Sequence, residues 1–379
     1  MTIFYMGVLS TFLRATLGLL TMSVVAAQAA NGTVDFSQPG PCSTASWQQT
    51  LHLPPELHAT LTNTLDLNIT IPSCDSSKGL PPFPVLIFFN GFQARTSHYH
   101  LLVQRIGSWG FVVAQYNTPF LRIFNDTIEL KAFEPLVDWL VGQNDKQGSP
   151  LHGLLDMDQL VVGGHSRGAK LATLVFAERP DIRAAYLVDP VDNTKQSPES
   201  PEFPSAAKAL AACGREVGIT GAGLVGSCNP EGSNYKMFWA VAVNGSWLSV
   251  IPGASHSQWM DAGCIMNKGL DLLCGRGKLG RRAINELTAA PMLAWLYKEL
   301  KAPDAGQDGQ PWPPPLQAFF GWVVAQEEAG RLAFEIKERE VPEAMPDSNG
   351  AAVVEGDEGD VEELCGAEGG PPAVYALRK

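Results

Sequence analysis

The seven cysteines include no Cys-x-x-Cys pair, so a cysteine-based zinc site is not expected. There is no glycine-rich phosphate loop, and no basic stripe of the kind that nucleic acids require. Charged residues make up only 17% of the 379 residues. The N-terminal apolar stretch, Ala15 to Ala27, is too short for a membrane span. These absences exclude nucleotide, nucleic-acid and metal chemistry from the leading expectations, and no cofactor is expected.

What is present is a chain rich enough in apolar residues, at 45%, to bury a sizeable core. The formal net charge of -12 is unevenly placed. Glu343 to Glu368 holds nine acidic residues and no Lys or Arg, so most of the excess belongs to a tail. Residues 1–30 contain no acidic residue, Arg14 precedes the apolar stretch, and Ala27-Gln28-Ala29 has a small-x-small cleavage pattern. That reads as a secretory-type signal, with an organelle transit peptide as the other reading. Asn31, Asn68, Asn125 and Asn244 each begin an Asn-x-Ser/Thr triplet. With the cysteines, they favour an oxidising compartment. Sequence does not fix connectivity; the pairings expected here are Cys42–Cys74, Cys213–Cys228 and Cys264–Cys274, with Cys365 left over.

From Pro84 onward, strand-like and helix-like segments alternate. Val85–Phe89, Phe111–Gln115, Leu160–Val162, Ala184–Asp189 and Phe238–Val243 read as buried strands. Thr96–Ser108, Leu130–Val141, Ala169–Glu178 and Leu287–Leu300 read as helices, with Pro135 complicating the second. The pattern predicts an α/β fold, a mainly parallel sheet with helices on both faces. Residues 1–29 form the targeting segment and 30–302 the main domain. Residues 303–341 are a proline-rich linker and docking segment, and 342–379 an acidic tail too polar to fold alone.

Gly164-His165-Ser166-Arg167-Gly168 fits G-x-S-x-G between a predicted strand and a predicted helix. This nucleophile elbow is so tight that Gly164 and Gly168 must flank it, and it lifts Ser166 above the sheet. The N–H of Arg167 then points at the substrate oxyanion. A serine hydroxyl needs a base, and the chain order in this arrangement is serine, acid, histidine. Six of the seven histidines precede Ser166, which leaves His256. His165 reads as a packing or hydrogen-bonding residue. Asp189, at the end of a predicted strand, is the favoured acid and Asp192 its rival. Asp261 follows His256 and reads as surface charge. The second oxyanion donor is assigned to the Phe92 N–H, in the loop after the Val85–Phe89 strand. The reaction so outlined is cofactor-free acyl transfer to water.

These residues resemble the chlorophyllases of plants and algae, which are α/β-hydrolases. GHSRGAK looks like that family's serine motif, with its characteristic arginine after the serine. The segment from Asn90 to Pro119, LVDPVDNT, and GASHSQWMDAGC with the helix beyond it resemble other family segments. The LVDPVDNT match supports Asp189 over Asp192. Asn90 stands where the family usually has histidine, Ala169 where it often has glycine, and Ser257-Gln258-Trp259 is less typical. The resemblance covers roughly residues 60–300. It implies hydrolysis of the phytyl ester of chlorophyll to chlorophyllide and phytol through an acyl-enzyme. A related esterase or lipase acting on another hydrophobic ester is the alternative. Phe92, Trp109, Phe120 and Trp259 are candidate lining residues for so large and apolar a substrate. The implied setting is the chloroplast, reached through the secretory route, with peripheral membrane association to meet the substrate; a secreted or endomembrane location is the alternative.

Overall fold

The computed structural model describes residues 36–74, 81–119, 124–301 and 316–338. The expected targeting segment, the proline-rich linker, the acidic tail, Phe120, Asn31 and Cys365 lie outside these residues.

In chain order the first elements are β1 (Ser43–His52), α1 (Pro55–His58), β2 (Thr64–Ser73) and β3 (Phe83–Phe89). A 3-10 turn (Thr96–Tyr99) leads into α2 (His100–Ser108) and β4 (Val112–Asn117). Then come α3 (Asp126–Leu130), α4 (Phe133–Asp145), β5 (Leu155–His165), α5 (Arg167–Glu178), β6 (Ala184–Val188) and α6 (Ala206–Cys213). The chain continues through β7 (Gly218–Ala222), α7 (Tyr235–Val241), β8 (Trp247–Ile251) and a second 3-10 turn (His256–Trp259). It closes with α8 (Cys264–Cys274), α9 (Arg281–Glu299), α10 (Leu316–Glu328) and β9 (Ala333–Ile336).

The nine strands form one sheet in the order β1-β2-β4-β3-β5-β6-β7-β8-β9. β3 to β8 are parallel, while β1, β2 and β9 attach antiparallel at the edges. This is the α/β-hydrolase fold. The central strands are apolar on both faces because helices cover both. In β3, Val85, Ile87 and Phe89 face one core, packed under α4, α5 and α6. Leu86 and Phe88 face the other, packed under α2, α9 and α10. The period of two therefore sorts one apolar run into two cores.

Several expectations need correction. Phe238–Val243 is not a strand; α7 runs over Tyr235–Val241, started by Asn234, whose side chain accepts from the Lys236 N–H. A six-residue apolar run does not distinguish strand from buried helix by periodicity, and the cap decides it here. The neighbouring strand is β7, whose GITGA carries little β signal. Gly218 is small because a Cβ there would lie 2.5 Å from the Tyr186 ring. The predicted Leu130–Val141 helix is two helices, α3 and α4, with Pro135 in the first turn of α4, where a missing N–H costs no helical bond.

Cys42–Cys74 is bridged, but the other disulfide is Cys228–Cys274. Cys213 and Cys264 are free, correcting the other two expected pairings. Cys264 and Cys274 sit at opposite ends of the 11-residue α8. A helix rises ~1.5 Å per residue, so that span exceeds any disulfide. Residues 316–338 extend the sheet itself. β9 pairs with β8, and Trp247 stacks on Phe319 at 5.4 Å.

Candidate active site

Ser166 occupies the turn between β5 and α5 with φ 59° and ψ -126°, a conformation side chains rarely adopt. Its neighbours explain how the turn is tolerated. A Cβ on Gly164 would lie 2.5 Å from Gly168, and one on Gly168 would lie 2.1 Å from the Phe89 carbonyl oxygen. Only glycine at both positions lets helix, turn and β3 approach this closely. The Ser166 N–H donates to the Val188 carbonyl at 3.0 Å, anchoring the turn to β6.

The structure brings Ser166, His256 and Asp189 together. His256 Nε2 lies 2.8 Å from Ser166 Oγ, and Nδ1 lies 2.6 Å from Asp189 Oδ2. Asp189 is fully buried at the end of β6, with φ 39°. Its Oδ1 accepts from the Ala222 N–H at 2.9 Å, and Oδ2 also accepts from Asn229 Nδ2 at 3.2 Å. An ionised carboxylate has no proton to give, so His256 Nδ1 carries the hydrogen and Nε2 is left to accept from the serine hydroxyl. Asn229 had no signal in the sequence pattern. Asp192 serves elsewhere: it accepts from Ser205 Oγ and the N–H groups of Ala206 and Ala207, capping α6. Asp261 is half-buried rather than free in solvent, and accepts from Asn267 Nδ2 at 3.0 Å.

His165 has a definite task. Its Nε2 lies 3.0 Å from the His256 carbonyl oxygen, and its Nδ1 lies 2.9 Å from Tyr99 Oη. A carbonyl only accepts, so Nε2 bears the hydrogen, Nδ1 is the acceptor, and Tyr99 donates. Tyr99 Oη in turn accepts from the Gly91 N–H at 2.9 Å. A single directional chain thus runs from the loop after β3 to the backbone of His256. Burial, and then the nearby His256, holds the His165 imidazole well below its usual pKa, so it stays neutral. Burial raises the Tyr99 phenol, which keeps its proton.

The N–H groups of Phe92 and Arg167 have no hydrogen-bond acceptor among the described residues, and both residues line the cleft beside the elbow. The Asn90 side chain turns away, donating to the Tyr116 carbonyl and accepting from Gln115. The Arg167 side chain crosses to α3. Nε donates to Asp126 Oδ1 at 2.8 Å, Nη1 to Glu129 Oε2 at 2.5 Å, and Nη2 to the Phe124 carbonyl at 3.1 Å. Burial alone would lower the guanidinium pKa, but Glu129 and Asp126 outweigh it and raise it. Lys170 joins the cluster, 2.9 Å from Asp126 and 3.4 Å from Asp192.

The candidate lining residues divide. Phe92 is 53% exposed at the cleft rim. Trp109 and Trp259 are fully buried and offer no surface to a substrate, which corrects that expectation. Trp109 packs on Phe36 and donates to the Gln38 carbonyl, because it caps α2 on the core side. Trp259 donates to Thr288 Oγ1 at 2.7 Å and packs its ring 5.7 Å from His165. No group of acidic, histidine and cysteine side chains suited to a metal occurs among the described residues.

The family model described as Chlorophyllase matches residues 58–308. The chain belongs to the chlorophyllase family. It is similar to Chlorophyllase-2 of Arabidopsis thaliana, 24% identical over 241 residues, covering 59% of this chain and 75% of that protein. The match begins before β2 and ends after α9, so it contains the elbow, Asp189 and His256. Membership of the chlorophyllase family makes the chain an ester hydrolase of the α/β-hydrolase type.

Proposed function

We propose that this chlorophyllase-family protein cleaves the phytyl ester of chlorophyll, releasing chlorophyllide and phytol, with Ser166, His256 and Asp189 as its catalytic residues. The observation that carries the reading is the relay from Asp189 through His256 to Ser166 Oγ, at 2.6 and 2.8 Å. Ser166 Oγ attacks the ester carbonyl carbon as His256 Nε2 takes its proton. The tetrahedral oxyanion collects hydrogen bonds from the N–H groups of Phe92 and Arg167. His256 then gives the proton to the departing phytol oxygen, leaving an acyl-serine. Water, deprotonated by His256, attacks that acyl group and frees the propionate of chlorophyllide. Asp189 holds the imidazole in the needed tautomer and stabilises its cationic form.

The disulfides Cys42–Cys74 and Cys228–Cys274 support an oxidising compartment. With the signal-like N-terminus, they favour passage through the secretory route to the plastid. Asn244 lies in an exposed turn suited to glycosylation, whereas Asn68 is in β2 and Asn125 caps α3. N-terminal sequencing of the mature protein, with a glycosidase mobility test, checks this route.

The deciding assay incubates purified protein and Ser166→Ala with chlorophyll a and with a simple p-nitrophenyl ester. Chlorophyllide from the wild type, and a loss on the order of 10⁶-fold in the variant, is the expected result. Cleavage of the simple ester alone would keep the serine and discard chlorophyll as substrate. Activity surviving in Ser166→Ala would discard the site.

A further inference from the structure

Most surface helices turn an apolar stripe inward and a polar face to water. In α8 this is reversed. Ile265 is 89% exposed, Met266 54%, Leu272 90% and Leu273 67%. At 3.6 residues per turn, these four positions fall on one side of the helix, with Gly269 between them. The opposite side carries Asn267, Leu270, Asp271 and Cys274. That inward side is tied down by polar bonds. Asn267 Nδ2 donates to Asp261, Arg281 pairs with Asp271 at 2.6 Å, and Cys274 is bridged to Cys228. The helix is therefore fixed in place with its apolar face outward.

The charge around this face is also out of character with the chain. Between Cys264 and Arg282 there are five basic residues and one acidic residue, in a chain of net charge -12. Lys268, Arg276, Lys278 and Arg282 are exposed; Arg281 pairs with Asp271 and Arg282 with Glu286 at 3.1 Å, which leaves Lys268, Arg276 and Lys278 without an ion-pair partner among the described residues. An apolar helix face ringed by cations has the chemistry of an interfacial segment that sinks its side chains among acyl chains and pairs its cations with anionic headgroups. Its place in the fold adds purpose. The helix follows the turn bearing His256 directly, and Arg281 Nε donates to the Met260 carbonyl at 2.7 Å, joining it to that turn.

We infer that the outward face of α8, with the cations Lys268, Arg276 and Lys278 around it, docks the enzyme on an anionic lipid bilayer beside the mouth of the active site. This deepens the reading of a lipid-borne ester substrate and rests on it. Substrate would then reach Ser166 along the surface rather than through water.

The test uses the full chain and pigment-free vesicles, so its failure is separable from a failure to cleave chlorophyll. Cosedimentation is measured with phosphatidylcholine vesicles and with vesicles also containing phosphatidylglycerol. Binding should require phosphatidylglycerol. The combined Ile265→Ser, Leu272→Ser and Leu273→Ser variant should bind ~tenfold more weakly or worse. The combined Lys268→Gln, Arg276→Gln and Lys278→Gln variant should lose up to about a hundredfold, and wild-type binding should weaken with added salt. Hydrolysis of a water-soluble p-nitrophenyl ester should be unchanged in both variants, which shows that they fold. The inference is overturned if the wild type ignores phosphatidylglycerol vesicles, or if both variants bind as it does. It is also overturned if the wild type is a dimer that the serine variant converts to a monomer, since a second copy would then own the face.

Discussion

On one side of the elbow, His165 sits in a chain of neutral hydrogen bonds; on the other, Arg167 sits among carboxylates. Both residues flank the same serine, and both are largely removed from water. The neutral side, Gly91 to Tyr99 to His165 to His256, is directional: each donor has one acceptor, so the tautomer of His165 follows from its partners. The charged side has no such polarity. It balances Asp126, Glu129 and Asp192 against Arg167 and Lys170. The lesson is a division of labour. The neutral chain sets backbone positions at the two places where the proposed chemistry needs them, the loop after β3 and His256. The charged cluster fastens α3 and α6 to the helix that carries the serine.

The sharpest way to break this contrast is Arg167→Met. It leaves Asp126 and Glu129 buried without their guanidinium, and a loss of about 3–5 kcal/mol of stability is expected by denaturant unfolding. Arg167→Lys keeps the charge but not the fork, and should recover only part of the loss. Next in size is Tyr99→Phe, which strands the Gly91 N–H and His165 Nδ1. It should cost ~1–3 kcal/mol. If the chain positions the site, kcat should fall with KM little changed; an unchanged kcat would reduce Tyr99 to packing.

The third test is pH. His165 is held neutral when folded, well below its ordinary 6.5. Below about pH 6.5 the unfolded chain takes up a proton that the folded chain refuses, so stability falls as pH drops. The slope is up to ~1.4 kcal/mol per pH unit, ending at the depressed folded pKa. His165→Gln should flatten that part of the curve between pH 7 and 5, read as urea midpoints; an unchanged slope would assign it to other groups. The smallest effect belongs to Asp192→Asn. It weakens the charged cluster without touching His256, and should cost ~1 kcal/mol while leaving the pH–rate profile in place. Asp189→Asn, by contrast, should lower kcat on the order of 10⁴-fold.

Local pattern alone located the elbow, since G-x-S-x-G after an apolar run demands that turn, and a chain with one histidine beyond Ser166 offers one base. The parallel core strands were equally legible, because strands covered on both faces are apolar throughout. Legibility ended where the signal depended on a distant neighbour. Phe238–Val241 is helical because Asn234 caps the helix, and GITGA is a strand because Tyr186 fills the space beside Gly218. Cys228 finds Cys274 across 46 residues, which spacing does not encode. Trp109 and Trp259 look like any aromatic residue near a site until packing buries them. The roles of Tyr99, Asn229, Asp126 and Glu129 exist only once the three segments that carry them converge on the end of the sheet. Sequence determined which groups could react and the turn that presents them. Tertiary structure decided which tautomers, charges and exposed faces surround them, because hydrogen bonds and burial depend on contacts between residues far apart in the chain.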